Sequence, residues 1–209
     1  MAKVMEKPSR KEREYRARRE EILKAAERVF AEKGFHSSTV AEIAKEAEFA
    51  IGTLYQFFQN KEELYYTMMI EKFDLLYSTL RTEVNKSKKC VEKLKLLVEA
   101  MFSFVEENVD FFKIFSMELN VLKPSMENKL REQLILKHFA YIKLMSDVIK
   151  EGMREGIFKK GNPDDYSSTL SGIMNIFSFN WILNQQKDAL KAKANFIINL
   201  FLHGVCQQG

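Results

Sequence analysis

The side chains able to do chemistry in this chain are cationic and aromatic, with few nucleophiles or metal ligands among them. Lys3, Lys7, Arg10, Lys11, Arg13, Arg16, Arg18 and Arg19 crowd the first turns against Glu6, Glu12 and Glu14, although the whole chain carries a net charge of only +4. A basic excess confined to one end suits an arm that meets phosphate. It does not describe a polycation that coats nucleic acid indiscriminately. His36, His138 and His203 are scattered without HxxxH spacing, and Cys90 and Cys206 lack CxxC spacing. No metal site is expected; the histidines are read as solvated or helix-terminal, and the cysteines as inert, reduced thiols. GxSxG, HExxH and glycine-rich phosphate loops do not occur. No catalytic residue and no cofactor is therefore assigned, and an all-helical enzyme is set aside.

These groups must be positioned by helices, because 8 Gly and 3 Pro in 209 residues leave little material for the turns of an all-β fold. The densest apolar run, Ile173 to Leu183, is interrupted by Asn175, Ser178 and Asn180, so no membrane span is expected. The charged start lacks an apolar signal core, which points to a cytoplasmic protein. Ser9 with Glu12 has the spacing of a capping box. It opens a helix with Ile22, Ala25, Ala26, Val29 and Phe30 on one face and Gly34 as its left-handed stop. A second box, Thr39 with Glu42, opens a short helix burying Val40, Ile43, Ala44 and Ala47. Glu48 to Ala50 then separate it from another short pattern, Ile51, Leu54, Tyr55 and Phe58. Asn60 with Glu63 opens a long helix.

Two short helices joined by a three-residue turn and braced by a preceding helix are what a helix-turn-helix needs, with the second short helix as the reader. Further helices are expected at roughly 61–84, 89–107, 109–121, 125–155, 164–184 and 187–205, broken at Pro124-Ser125 and from Glu155 to Asp164. The expected organisation is a basic arm and helix start (1–19), a DNA-binding domain (20–66) and a helical remainder (67–209).

The run from Gly34 through Phe35, His36, Ser37, Ser38, Thr39, Val40, Ala41, Glu42 and Ile43 to Ala44, and that from Gly52 through Thr53, Leu54, Tyr55, Gln56, Phe57, Phe58, Gln59, Asn60 and Lys61 to Leu64, carry a family resemblance. The chain resembles TetR/AcrR regulators, without gaps from about Ile22 to Leu64. The resemblance implies an all-α, homodimeric transcriptional repressor that binds a palindromic double-stranded operator. It implies that Thr39 caps the second helix near a phosphate, where a helix N-terminus favours an anion, and that Tyr55 and Lys61 clamp backbone phosphates. Gly52 would let the reading helix approach closely, while Ile51, Thr53 and Gln56 would face base edges. Ala44, Leu54 and Phe58 would form the core. Three positions depart from the family pattern. Glu48 stands where glycine is usual, Ala50 replaces a frequent serine at the start of the reading helix, and Phe57 replaces a frequent tyrosine. Ala50 is kept among the DNA-facing positions, although its cap and a phosphate contact are in question.

The resemblance also implies a small-molecule site among the middle helices and pairing of the last two helices with a twin. Phe73, Leu76, Tyr77, Met101, Phe104, Phe111, Phe112, Phe115, Met117, Tyr141, Met145, Met174 and Phe177 offer a soft apolar lining. Trp181 shares a face with Met174 and Phe177. Tyr166, Leu170 and Ile173 lie on that same side of their helix, while Ile176, Phe179 and Leu183 occupy another, so this helix must be covered on most sides by the body or a second subunit. The expected effector is a bulky, mostly apolar molecule that releases DNA by respacing two heads through the helix beginning at Lys61. The alternative is a DNA-organising or division-linked factor without an inducer.

Overall fold

The computed structural model describes residues 9–117, 129–185 and 187–205. The chain divides into two compact units, Met1–Met68 and Met69–Gly209, and every long element in both is a helix. The architecture is all-α, with no strand among the described residues.

In the first unit, α1 (Arg10–Ser37) starts at the expected capping box: Ser9 N donates to Glu12 Oε2 at 2.7 Å, and Glu12 N donates to Ser9 Oγ at 3.3 Å. Gly34 interrupts it at φ +75°, the left-handed conformation that a Cβ would penalise. Residues 10–18 of α1 are solvent-exposed, whereas Ile22, Ala26 and Phe30 are buried. The first turns are thus a helical extension beyond the core.

α2 (Val40–Glu46) starts at the Thr39–Glu42 box and ends with Phe49 N donating to Ala44 O and Glu48 N to Lys45 O. These paired bonds form a Schellman motif, and they place Glu48 at φ +58°. The sequence leaves two outcomes at this glycine position, and the strained one is adopted, at about 1 kcal/mol. α3 (Ile51–Tyr55) starts at Ala50, which supplies no side-chain cap. α4 (Lys61–Val84) follows Asn60, whose Oδ1 accepts from Glu63 N at 2.8 Å; the Glu63 carboxylate accepts from Gln59 N. Ile22, Phe30, Ile43, Leu54, Phe58, Leu64 and Tyr65 are buried together, each contributing up to about 1.5–3 kcal/mol of apolar transfer.

In the second unit, α5 (Cys90–Glu107) is the central helix, packed against α7 (Lys129–Arg154), α8 (Pro163–Leu183) and α9 (Ala194–Val205). It buries Leu94, Leu97, Val98, Met101, Phe102, Phe104 and Val105, so it is apolar on most of its circumference. Between α5 and α7 lies α6 (Val109–Met117). The expected break at Pro124-Ser125, the ends of its flanking helices and Cys206 lie outside the described residues. α7 and α8 are joined by the loop read from Gly156 and Gly161. Asn162 caps α8 by accepting from Asp164 N at 3.0 Å, with Pro163 in the first helical position.

One helix expected over 187–205 is instead a 3₁₀ turn, Leu190–Lys193, leading into α9. Leu190 is buried and Lys191 N donates to Glu106 Oε1 at 3.2 Å. The turn is thereby fastened to the end of α5 in place of a regular first α-helical turn.

Candidate functional site

α3 is small enough for its two sides to be told apart residue by residue. Leu54 is buried and Phe58, just beyond the helix, is buried with it, while Ile51, Gly52, Tyr55 and Gln56 are exposed and Thr53 is half-buried. Ile51 and Tyr55 are 45% and 53% exposed, so two large side chains at i and i+4 are held outward on a rigid base. A Cβ built on Gly52 would meet nothing within 4 Å. The head's own packing therefore does not require glycine there, whereas a surface that must approach this helix closely would. The face carries hydroxyl, amide and aliphatic groups with no charge, which suits contacts to base edges better than to phosphates.

The groups expected at phosphates are placed differently from one another. Tyr55 projects from α3. Thr39, exposed at the start of α2, commits its hydroxyl to the cap, with Oγ1 accepting from Glu42 N at 3.2 Å and donating to Glu42 Oε2 at 2.9 Å. Lys33 Nζ donates to Glu42 Oε1 at 2.8 Å. Lys33, then the Thr39 hydroxyl and backbone N–H, hold the Glu42 carboxyl down to about 2, and Glu42 in turn raises the Lys33 pKa. Lys33 thus offsets a carboxylate that would otherwise repel an anion at this helix end. The Lys61 ammonium is half-buried and donates to the carbonyls of Phe35 and Ser38 at 2.7 and 2.8 Å. Two of its three N–H groups tie down the connection between α1 and α2.

Sequence reasoning missed an aromatic and cationic seam beside α3. The rings of Tyr15 and Phe57 are 4.6 Å apart, and the Arg19 guanidinium lies 5.6 Å from the centre of the Phe58 ring. The signal was present: Lys11, Tyr15, Arg18 and Ile22 fall on one helical stripe, apolar inside the head and basic outside it.

In the second unit, Phe104, Phe111, Phe112, Phe73, Phe115, His138 and Tyr141 form a continuous ring network, with neighbouring centroids 5.2–6.4 Å apart. Met101, Met145 and Met174 are buried, and Tyr77 is half-buried. Phe177 and Trp181 have other partners: Phe177 packs on Phe196 of α9, and Trp181 Nε1 donates to Asp188 O. The side chain of Met117 lies outside the described residues.

His138 corrects the reading of all three histidines as solvated or helix-terminal. His36 and His203 do sit in last helical turns. His138 is in mid-helix among rings, with its Nδ1 buried and lacking a hydrogen-bond partner among the described residues. Such an orphan costs about 1–3 kcal/mol. Desolvation lowers its pKa, so the ring is neutral at pH 7. Beside it, Tyr141 Oη and Ser171 Oγ are 2.5 Å apart, and Asn175 also bonds the phenol. Burial raises the Tyr141 pKa against these two hydrogen bonds. A cavity of about 350 Å³ adjoins this cluster, lined by Phe115, Ser116, Gly172, Asn175, Ile176 and Phe179.

Known families match both units. The model for bacterial regulatory proteins of the tetR family matches residues 22–66, and that for the C-terminal region of YsiA-like proteins matches residues 69–204. The chain is 28% identical over 186 residues to a fatty acid metabolism regulator protein of Bacillus subtilis, covering 88% of this chain and 94% of that one. It is 29% identical over 148 residues to the HTH-type transcriptional repressor KstR2 of Mycobacterium tuberculosis, covering 68% and 70% of the two chains. Among solved structures, the transcriptional regulator FadR of Bacillus subtilis in complex with stearoyl-CoA matches with a TM-score of 0.78 at 27% identity, over 88% of this chain and 98% of that one.

Proposed function

The chain belongs to the tetR family of bacterial regulatory proteins, and on that premise we propose that it is a repressor that binds an inverted-repeat operator as a homodimer and leaves it when a long-chain acyl thioester enters the second unit. The observation that carries the DNA-binding half is the outward face of α3: Ile51, Gly52, Tyr55 and Gln56 exposed over a buried Leu54. Ile51 and Thr53 offer methyl groups to thymine, Gln56 offers an amide to a base edge, and Tyr55 and the remaining N–H of Lys61 offer donors to phosphate.

The effector half is supported by the ring network, the adjoining cavity and the stearoyl-CoA bound by the similar Bacillus regulator. Helix α4 belongs to both units, beginning at Lys61 in the head and carrying Phe73 into the ring network. A ligand that displaces those rings acts on the same helix that holds the α1–α2 connection. Differential binding of about 3 kcal/mol between DNA-competent and incompetent states lowers operator affinity roughly a hundredfold.

Pairing of two copies through α8 and α9 is supported by Ile176, Leu183, Phe196 and Leu200, 51–62% exposed at helical spacing. Apolar patches of this kind mark association surfaces.

Selection of bound fragments from a random DNA pool tests the first half. A short inverted repeat is expected, and enrichment of no symmetric site refutes the operator reading. Adding stearoyl-CoA to the selected complex tests the second half. Release at the concentration that saturates the protein is expected, and saturable binding that leaves operator affinity unchanged refutes the coupling.

A further inference from the structure

His138 is a polar residue at a position where its own surroundings favour phenylalanine. Phe73, Phe115 and Tyr141 enclose the imidazole at centroid distances of 6.0, 5.5 and 5.4 Å, and its Nδ1 is buried with no hydrogen-bond partner among the described residues. An apolar ring of similar size would remove that unsatisfied group and keep the packing. The rings next to it also bound the open space. Phe115 lines the cavity of about 350 Å³, as does Asn175, the residue bonded to the Tyr141 phenol. His138 therefore lies one side chain behind the cavity wall.

We propose that His138 Nδ1 donates a hydrogen bond to the carbonyl oxygen of an acyl thioester, whose chain enters from this cavity as the Phe115 ring turns aside. This deepens the effector reading and rests on it. The choice of a neutral carbonyl over a carboxylate follows from the walls: among the described residues the lining, Phe115, Ser116, Gly172, Asn175, Ile176 and Phe179, includes no cation, and a buried carboxylate without one is strongly disfavoured. An uncharged imidazole is suited to a neutral acceptor, and desolvation keeps the ring in that form. One donor satisfied by a ligand and by no other described residue gives the site a preference for molecules bearing an oxygen at one depth.

The test compares two probes on the full-length protein: stearoyl-CoA, and S-octadecyl-CoA, a thioether with a methylene in place of the carbonyl. Titration calorimetry of the wild type is expected to show about tenfold tighter binding of the thioester, equivalent to about 1.4 kcal/mol. His138→Phe is expected to bind both probes equally and to melt no lower than the wild type without ligand. Equal binding of both probes by the wild type, or a preference that survives in His138→Phe, overturns the role of His138 and leaves the effector reading standing. Failure of the wild type to bind either probe overturns the effector reading and this inference with it. The wild-type comparison needs no variant, so poor folding of His138→Phe leaves the proposal open to refutation, and His138→Leu then supplies the second arm.

Discussion

The Lys61 ammonium lies 4.5 Å from the centre of the Phe35 ring while donating to the Phe35 carbonyl, so one cation is held by both the π face and the main chain of a single residue. Through Ser38 O it also reaches the residue that precedes the α2 cap. Hydrogen bonds from a charged donor and a cation–π contact are each modest in water, and half-burial strengthens them. Lys61 thereby connects the start of α4 to the segment from which α2 begins.

Lys61→Ala should accordingly have two effects. It should destabilise the head by about 1–2 kcal/mol, because two carbonyls lose a charged donor. It should also weaken binding to operator and to unrelated DNA alike, since a phosphate contact carries no sequence information. Chemical denaturation and salt-dependent binding isotherms measure the two separately. Unchanged stability would show that the tether is idle, and altered sequence preference would remove Lys61 from the backbone contacts.

Glu42 predicts a pH dependence in the acid range. Folding lowers its carboxyl pKa from the ordinary value of 4.5 to about 2, chiefly through Lys33 and then Thr39. Its contribution is complete above the ordinary value and is lost as the pH falls through about 2. Between pH 4.5 and 2 the wild type should lose more stability than Glu42→Gln, measured by thermal unfolding at each pH. Parallel curves for the two proteins would mean that this solvent-exposed ion pair contributes nothing measurable.

The parts of the fold legible in the sequence were those written in local spacing. Ser9–Glu12 and Thr39–Glu42 announce their helices because a capping box needs only residues three apart, and Gly34 announces its stop because glycine adopts φ +75° there without penalty. Leu54 and Phe58 are buried as expected from their period. What was not legible depended on partners distant in sequence. Nothing near Lys61 says that its ammonium reaches Phe35 and Ser38, 26 and 23 residues away. Nothing near His138 says that Phe73 and Phe115 will enclose it. The shared helical face of Met174, Phe177 and Trp181 suggested a common lining, yet side chains successively further along α8 meet different neighbours, and Phe177 finds Phe196 while Trp181 finds Asp188.

Gly152 is a packing constraint of the second unit. A Cβ there would lie 2.4 Å from the Phe158 ring and 2.9 Å from Cys90 Sγ, and both of those residues are fully buried. Its carbonyl also accepts from Ile157 N and Phe158 N at 2.9 and 3.2 Å, which fixes the ring above it. Gly152→Ala should therefore destabilise the protein by about 1–3 kcal/mol through overpacking. Combining it with Phe158→Leu should cost less than the two single substitutions added together, because the smaller side chain removes part of the clash. Additive losses in denaturant titrations would mean that the ring moves aside freely.

The helical extension of α1 gives the sharpest test of where DNA lies against the head. Lys11, Tyr15 and Arg18 continue the stripe that carries Ile22 into the core, but residues 10–18 are exposed, with Tyr15 making the aromatic contact back to the head. Tyr15 rests on Phe57, two residues past the end of α3. The basic stripe is consequently fixed next to the reading helix as part of a rigid helix, whereas a flexible tail would have no preferred direction. Each phosphate contact contributes about 0.9 to the slope of log affinity against log salt. Lys11→Ala with Arg18→Ala should thus flatten that slope by roughly 2 per head if both side chains reach phosphates, with sequence preference retained. Thermal stability should stay within about 0.5 kcal/mol, since neither side chain is buried. Tyr15→Ala should act differently, lowering both stability and affinity, because it removes the ring that seats the extension on Phe57. A salt slope unchanged in the double variant would make the extension a solvated helix, and the phosphate contacts would then have to come from Tyr55, Lys61 and the α2 N-terminus alone.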